Sequence, residues 1–342
     1  MHKILYAINS IIAACLVLSY LSPYTDPGIS WFIPLFGLFY PPILLANFAF
    51  ILLWFVIKPK YTLLSIIVIL LGWGPLARTI GLLHSSSGEK GIKVMAYNIG
   101  KTRINFNRKD KNKHIRAFKK FIEIEQPDVV CVQERIKGHL KHYRKIFNEY
   151  HIYPDSELGT GIYSKYPIIQ GGNMPFETVA HNATWADVVM NNDTVRFYSI
   201  HLSSNRITKV TGEMLENPDI SRTEFLKDLK FIFNKYNQHA QLRSQQVDQI
   251  MAHASKSPYP VILSGDFNDV PQSYVYRKIS KSYCDAFCFV GTGMEKTFIS
   301  FMPGLRIDYS FLDKSIKVLD HYIIRTSLSD HYPVVTIIDP SN

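Results

Sequence analysis

The pattern of apolar and polar positions changes near residue 84. From Ile4 to Thr25, from Pro27 to Ile57 and from Tyr61 to Ala77 the chain holds no Asp, Glu, Lys or Arg, and apolar side chains dominate. A helix needs about 20 apolar residues to cross a bilayer. The first run predicts a span near 4–21. The second predicts one near 35–57, with Pro34, Pro41 and Pro42 at its start. The third, near 61–83, is the shortest, and Gly72, Gly74 and Pro75 interrupt it. Taken alone, the first run has the form of a cleaved signal peptide. More apolar sequence follows it and no small-residue cleavage site does, so the reading is an anchor of about three helices over residues 1–84.

Past a polar linker at 85–92, short apolar runs rich in Val, Ile, Tyr and Phe stop abruptly in polar residues. They are IKVMAYN at 92–98, DVVCVQE at 128–134, TVRFYSIHL at 194–202, PVILSGDFN at 260–268, RIDYSFL at 306–312 and HYPVVTIID at 331–339. These predict buried strands. Between them, Ile115, Phe118 and Ile122 share a helical face, as do Phe225, Leu229, Ile232 and Tyr236, and then Val247, Ile250, Met251 and Ala254. The mixture predicts an α/β domain over 93–338, with helices covering sheet faces.

Charge sharpens the division. Residues 1–84 hold Lys3, Lys58, Lys60 and Arg78 against Asp26 alone, which leaves 34 Lys and Arg against 27 Asp and Glu in the remainder. The charged fraction of 19% is below the roughly 25% of globular chains, because the first part is nearly uncharged. A disordered chain, a coiled coil and a disulfide scaffold are excluded; four cysteines are too few to staple a domain of this size. Cys284 and Cys288, four apart, are expected on a helix turn as thiols. Lys3 before the first run and Lys58 and Lys60 after the second place the N-terminus and the second loop in the cytoplasm. Three spans would then put the α/β domain on the extracytoplasmic side of a multi-pass membrane protein.

Candidate chemistry sits where the strands end: Asn98, Glu134, His201, Asp266 with Asn268, Asp308, and Asp330 with His331. One polar strand end means little, since strand ends are solvated. Six ends that bring carboxylates, amides and imidazoles together are another matter. Clustered carboxylates repel unless a cation offsets them. Oxygen ligands of this kind suit a hard ion, Mg²⁺ first, with Mn²⁺ or Ca²⁺ as substitutes. His139 and His142 lack neighbouring ligands and read as a solvated helix face.

The ordered pieces YNIG at 97–100, VQE at 132–134, SIHLSS at 199–204, SGDFND at 264–269, RIDY at 306–309 and SDHYPV at 329–334 resemble the endonuclease/exonuclease/phosphatase superfamily. TGIYSKYPI at 160–168 resembles its strand-turn segment. The resemblance implies a four-layer α/β sandwich of two packed mixed sheets, preceded here by transmembrane helices in a bacterial-type member. It implies metal-dependent phosphoester hydrolysis. By resemblance, Glu134, Asn98 and Asp330 are assigned to the metal. Asp266 would orient or deprotonate water, and Asn268 would hold a phosphate oxygen. His331 would contact phosphate with Asp308 behind it, and His201 is a candidate general acid.

The expected function is phosphodiester hydrolysis, on nucleic acid first and on phospholipid or sphingolipid headgroups second. A catalytically silent binding domain is the rival from another class. No protein partner is implied. Tyr163, Arg206, Arg243 and Gln245 are candidates for the mouth. The surplus of basic charge suits an acidic partner without choosing among them. No apolar hairpin stands out as a lipid-insertion element.

Overall fold

The computed structural model describes residues 2–30, 32–81, 88–100, 111–135, 139–154, 159–176, 181–190, 193–205 and 222–340. Arg206 and residues 85–87 of the polar linker lie outside them. The chain forms two compact units. One comprises Met1–Thr79, Ser203–Val247 and Asp269–Lys278; the other comprises Ile80–Leu202, Asp248–Asn268 and Ile279–Asn342.

In the first unit the apolar runs are helical. Two helices, His2–Tyr24 and Tyr40–Ile57, are long and apolar enough to cross a membrane. The second begins at Tyr40 and not near 35, because a separate short helix, Ile33–Leu38, precedes it. The third run is broken: Pro59–Leu71 and Trp73–Thr79 meet at a 75° bend at Gly72, so the count is two crossings, or three if the bent pair is one. Polar groups tie these helices together. Asn9 Nδ2 donates to Ser65 Oγ at 2.8 Å, Trp54 Nε1 donates to Asn9 Oδ1 at 2.8 Å, and Tyr20 OH donates to the Val68 carbonyl at 2.9 Å. These bonds pair the few polar side chains that the apolar helices carry.

The two helical patterns at 225–236 and 247–254 fall on one continuous helix, Arg222–Ala254. Within the first unit, Arg243 on this helix is fully buried. Its Nε donates to Asp269 Oδ2 at 3.0 Å, and its Nη1 donates to the Ser203 carbonyl at 3.0 Å and to Asn205 Oδ1 at 2.7 Å. It is a structural cation and not a residue of the mouth. Gln245 is exposed on the same helix.

The second unit carries the strands: β1 (Ile80–Gly81), β2 (Ile92–Asn98), β3 (Val129–Gln133), β4 (His151–Tyr153), β5 (Gly161–Ser164), β6 (Ile168–Pro175), β7 (Asn182–Met190), β8 (Asp193–His201), β9 (Val261–Asp266), β10 (Cys284–Asp285), β11 (Gly293–Met294), β12 (Asp308–Leu312), β13 (Lys317–Ile323) and β14 (Val334–Asp339). Two six-stranded mixed sheets result, ordered β13-β14-β2-β3-β5-β4 and β10-β12-β9-β8-β7-β6. Only β2–β3 and β8–β9 pair in parallel within them. Cys284 lies on β10 and not on a helix turn.

Alternation sorts the side chains. Val94, Val129, Cys131 and Ile162 of the first sheet meet Ala186, Val188, Phe197 and Ile262 of the second in a buried core between the sheets. Met95, Tyr97, Val130 and Val132 point the other way, onto Phe118 and Ile122 of the helix Lys111–Glu125 and Tyr143 and Ile146 of the helix Leu140–Ile146. Tyr163 belongs to that layer and stacks on Phe147 with ring centroids 4.1 Å apart, so it too is a core residue.

Phe197 is fully buried in the core between the sheets. Phe197→Ala is expected to lower the unfolding free energy by about 3–5 kcal/mol, the cost of the lost contacts and the cavity. A loss well below 1 kcal/mol in chemical denaturation would show that the two sheets do not share one core.

Candidate active site

Strand direction puts the chemistry at one end of the second unit. The parallel strands β2 and β3 finish side by side, with Asn98 opposite Gln133. In the other sheet β8 and β9 finish together, with His201 opposite Asp266. Antiparallel β12 starts at that same end, so Asp308 faces Asp266. Antiparallel β7 also starts there, with Asn182 opposite His201. One rung of this sheet therefore reads Asn182, His201, Asp266, Asp308. His331 precedes β14, whose first residue, Val334, pairs with Ala96 near the end of β2.

Asp266 is the hub and is buried. Asn98 Nδ2 donates to its Oδ2 at 2.9 Å, and the Asn268 backbone N–H donates to its Oδ1 at 2.8 Å. His201 Nε2 and His331 Nε2 each stand 3.8 Å from Oδ2. Asp308 receives His331 Nδ1 at 3.0 Å. Ligand atoms of Asp266, Asp308 and His331 all lie within 4.8 Å of one another, a spacing that could hold a metal ion.

Glu134 stands at the edge of this group. Its side chain is 37% exposed, and its Oε1 lies 3.6 Å from His201 Nε2 and 3.3 Å from Asn98 Nδ2. Asn98 Oδ1 accepts the Gly100 N–H at 2.8 Å, so Asn98 turns its N–H₂ toward the carboxylates. Asp330 is half-buried, and its Oδ1 lies 3.4 Å from Ser329 Oγ. It does not belong to the close Asp266–Asp308–His331 group. Asn268 Nδ2 donates to the Leu202 carbonyl at 3.0 Å, which orients its amide.

Two of the three non-glycine residues with positive φ among the described residues lie at this end; the third, Gln126, lies before β3. Glu134 and Asn268 have φ of 56° and 52°, in the left-handed region that residues with a side chain seldom adopt. Each costs on the order of 1–3 kcal/mol and persists where surrounding contacts enforce it. Gly265, with φ 139°, approaches the neighbouring strand so closely that a Cβ would come within 2.2 Å of the Ile200 carbonyl. At Gly100 a Cβ would come within 1.7 Å of Glu134 Oε2, so the bare glycine leaves room for that carboxylate.

Burial pushes the Asp266 carboxyl up from its ordinary range, and the Asp308 charge adds to this. His331 and the hydrogen bonds from Asn98 and Asn268 oppose it. For His331, burial alone disfavours the charged ring. The surrounding Asp308, Asp266 and Asp330 overcome that and raise its pKa.

Several residues that hold this arrangement were not singled out from the sequence, although Ser329, Ser199 and Gln133 fall inside its matching pieces. Ser329 Oγ bonds the carbonyls of Asn98 at 2.8 Å and Gly100 at 3.1 Å and accepts the His331 N–H at 3.3 Å, joining the first and last pieces of the site. Thr297 Oγ1 accepts the N–H groups of Ile307 at 3.0 Å and Asp308 at 3.1 Å. Gln133 Nε2 donates to Ser199 Oγ at 2.9 Å, and Ser199 Oγ donates to the Val132 carbonyl at 2.9 Å, bridging the two sheets beneath the site. The Phe298 ring lies 4.8 Å from that of His331. Ser and Thr are common at any strand end, so only their three-dimensional placement marks them.

Two packed mixed sheets with this rung of acids and imidazoles define an α/β phosphoesterase-type scaffold. Residues 95–331 match the endonuclease/exonuclease/phosphatase family, and the chain belongs to that family. Residues 2–79 match a domain of unknown function. No curated protein matches the sequence. Among solved structures, the chain is similar to the endonuclease/exonuclease/phosphatase from Bacteroides vulgatus, with 17% identity, 74% of this chain and 100% of that one covered, and TM-score 0.56. It is similar to D. rerio TDP2 complexed with a single-strand DNA product, with 15% identity, coverage of 73% and 100%, and TM-score 0.55. It is also similar to the human Nocturnin catalytic domain with bound sulfate, with 13% identity, coverage of 74% and 94%, and TM-score 0.51. At these identities the likeness is one of fold.

The Asp308–His331 contact has a measurable consequence. In metal-free protein, Asp308→Asn removes the partner that most favours the charged ring, so His331 should release its proton at lower pH than in the native chain. An NMR titration of the imidazole checks this; an unchanged midpoint would show that Asp308 does not hold the charge.

Proposed function

We propose that the chain is a membrane-anchored, divalent-metal-dependent phosphodiesterase. Its anchor is residues 1–84, its linker 85–92 and its catalytic domain 93–338. The observation that carries this reading is the convergence on Asp266 of Asn98, Asn268, His201 and His331, with Asp308 behind His331. The donor set fits a hard cation: Asp266 and Asp308 are buried close together and raise each other's cost of charge, and Glu134 presents a part-exposed carboxylate in a space that Gly100 leaves open. Glu134 would hold the ion, with Asn98 steadying its carboxylate from one side and Asp330 at the rim. When bound, such an ion offsets the charge that develops on the phosphoryl oxygens.

The remaining roles belong to the chain's own groups. Asp266 has its carboxylate pKa raised by burial, which suits it to take a proton from an attacking water. His331, kept cationic by Asp308, binds a phosphoryl oxygen, and Asn268 donates its second amide hydrogen to the same group. His201, between Glu134 and Asp266, can deliver a proton to the departing alkoxide. Catalysis of this kind is mostly positioning and electrostatics, which accounts for the strained, hydrogen-bonded strand ends.

The substrate reading is a nucleic-acid phosphodiester. Support comes from the D. rerio TDP2 complex, whose ligand is a DNA product; the basic surplus after residue 84 suits any polyanion. A phospholipid or sphingolipid headgroup is the second reading, favoured by exposed apolar side chains beside the site at Ile299 and Phe301.

Chelation is expected to abolish hydrolysis, with recovery on adding Mg²⁺. Glu134→Gln and Gly100→Ala should both weaken Mg²⁺ binding by calorimetry, and Asp266→Asn should lower turnover by about 10² or more. Full activity in excess chelator would end the metal reading.

Lys3, Lys58 and Lys60 on the cytoplasmic side and a third crossing would export the catalytic domain. Protease added to intact spheroplasts should then cut within 93–338. Survival of that domain until lysis, while an exported control is cut, would place it in the cytoplasm.

A further inference from the structure

Asn182 ends the rung that carries the site, and no role in the proposed chemistry falls to it. It opens β7 and pairs with His201 of β8, which pairs in turn with Asp266 of β9. Residues directly opposite on neighbouring strands point to the same face of a sheet. That face is the inner one. Ala186, Val188 and Met190 share the parity of Asn182 along β7 and lie in the core between the sheets. So do Phe197 of β8 and Ile262 of β9, which share the parity of His201 and Asp266. Asn182 and His201 therefore stand side by side, with Cβ atoms about 5 Å apart.

This position is costly. Asn182 is 6% exposed, and its Oδ1 is buried without a hydrogen-bond partner among the described residues. A buried acceptor left unpaired gives up its bonds to water and gains none in return. Other polar groups at this corner are paired. Thr184, two residues along the same face, donates from Oγ1 to Asn173 Oδ1 at 3.0 Å and lies 2.8 Å from Thr160 Oγ1. On β6 the residue opposite Asn182 is Pro175, whose nitrogen has no hydrogen to give. His181, also buried, sets its ring 4.9 Å from that of His201. The orphaned oxygen thus sits at the site end of the sheet, next to the imidazoles, where a substrate can supply the missing donor.

We propose that Asn182 is a specificity-determining residue that accepts a hydrogen bond from a hydroxyl on the leaving group. The inference rests on the reading of His201 as the group that protonates the departing alkoxide. Along the rung the order is Asp308, Asp266, His201, Asn182. The phosphoryl group is assigned to the Asp266 side, so what lies beyond His201 is the carbon framework of the departing alcohol. A hydroxyl on the carbon next to the departing oxygen can meet Asn182 Oδ1 while that oxygen faces His201. The substrate class is a phosphoester of an alcohol with a second, neighbouring hydroxyl, as in a ribosyl or glyceryl group. An alcohol lacking it leaves the buried oxygen unpaired and is disfavoured.

Calorimetry on the full chain in detergent micelles with Mg²⁺ tests this. The probes are two matched pairs: adenosine 3′-monophosphate against its 2′-deoxy form, and glycerol 1-phosphate against propyl phosphate. In at least one pair the hydroxyl-bearing member should bind about tenfold more tightly or better, and that pair identifies the source of the hydroxyl. Asn182→Ala, and the closer-shaped Asn182→Leu, should bring the ratio to within about twofold, because the acceptor is gone. Both should leave the thermal unfolding midpoint unchanged or raise it, since each removes an unpaired buried group. Ratios near one in the native chain would overturn the proposal. So would a preference that survives both substitutions, or a lowered midpoint in both, which would make the amide a structural one. The phosphodiesterase reading fails separately: a native chain that shows the binding preference and hydrolyses neither a diribonucleotide nor its deoxy counterpart keeps the hydroxyl site and loses the activity.

Discussion

Two carboxylates on adjacent antiparallel strands, with no residue of offset between them, set the terms for the rest of the second unit. The register of β9 and β12 places Asp266 against Asp308 in a buried position. Two such charges repel strongly where water is excluded. Each needs a neighbour that makes charge tolerable, and the fold supplies one for each: the His331 ring on Asp308, and the Asn98 amide and Asn268 N–H on Asp266. The outer pieces of the sequence, YNIG near the start of the domain and SDH near its end, are brought in by this need. Ser329 then ties them directly to each other.

The strain at Glu134 and Asn268 belongs to the same economy of space. A strand that ended in ordinary extended backbone would carry its next side chain past the rung. A left-handed residue turns the chain sharply and brings the side chain back over the strand end. Gly100 completes the device by leaving out the one atom that would collide with the Glu134 carboxylate. Stability is given up locally so that acidic groups face one small volume, which is the arrangement a phosphoryl group and a hard cation require.

Much of this was legible in the amino-acid sequence because strand ends in this fold coincide with abrupt changes from apolar to polar residues. IKVMAYN, predicted as a strand at 92–98, is β2 residue for residue. The polar residue after each run marked Asn98, Glu134, His201, Asp266 and Asp308, and these meet in space. Other parts were not legible, for reasons that are equally physical. Arg243 looked like a phosphate ligand because an Arg on a polar helix face is usually solvated; its partners, Asp269 and the Ser203 carbonyl, come from chain segments on either side of it. Tyr163 stacks on Phe147, a contact that depends on sheet and helix packing. The bend at Gly72 and the start of the second apolar helix at Tyr40 follow backbone breaks that hydropathy does not resolve.

Net charge does not choose a substrate, and the buried ion pairs leave it unchanged, since each removes one acid with one base. Arg196 pairs with Asp187 at 2.6 Å and Arg306 with Asp285 at 2.8 Å, all four buried, and Arg243 is buried against Asp269. Buried guanidinium groups of this kind hold strands and loops in register and present nothing to a ligand. The cations left for recognition are chiefly lysines on the surface, which attract any polyanion, nucleic acid or acidic lipid, without reading its structure. Charge alone therefore discriminates little, and what remains is shape and apolar contact around the candidate site. There the asymmetry is plain: on one side His201 and Asn182 continue the polar rung, and on the other Phe298 packs on His331 and leads outward to Ile299 and Phe301.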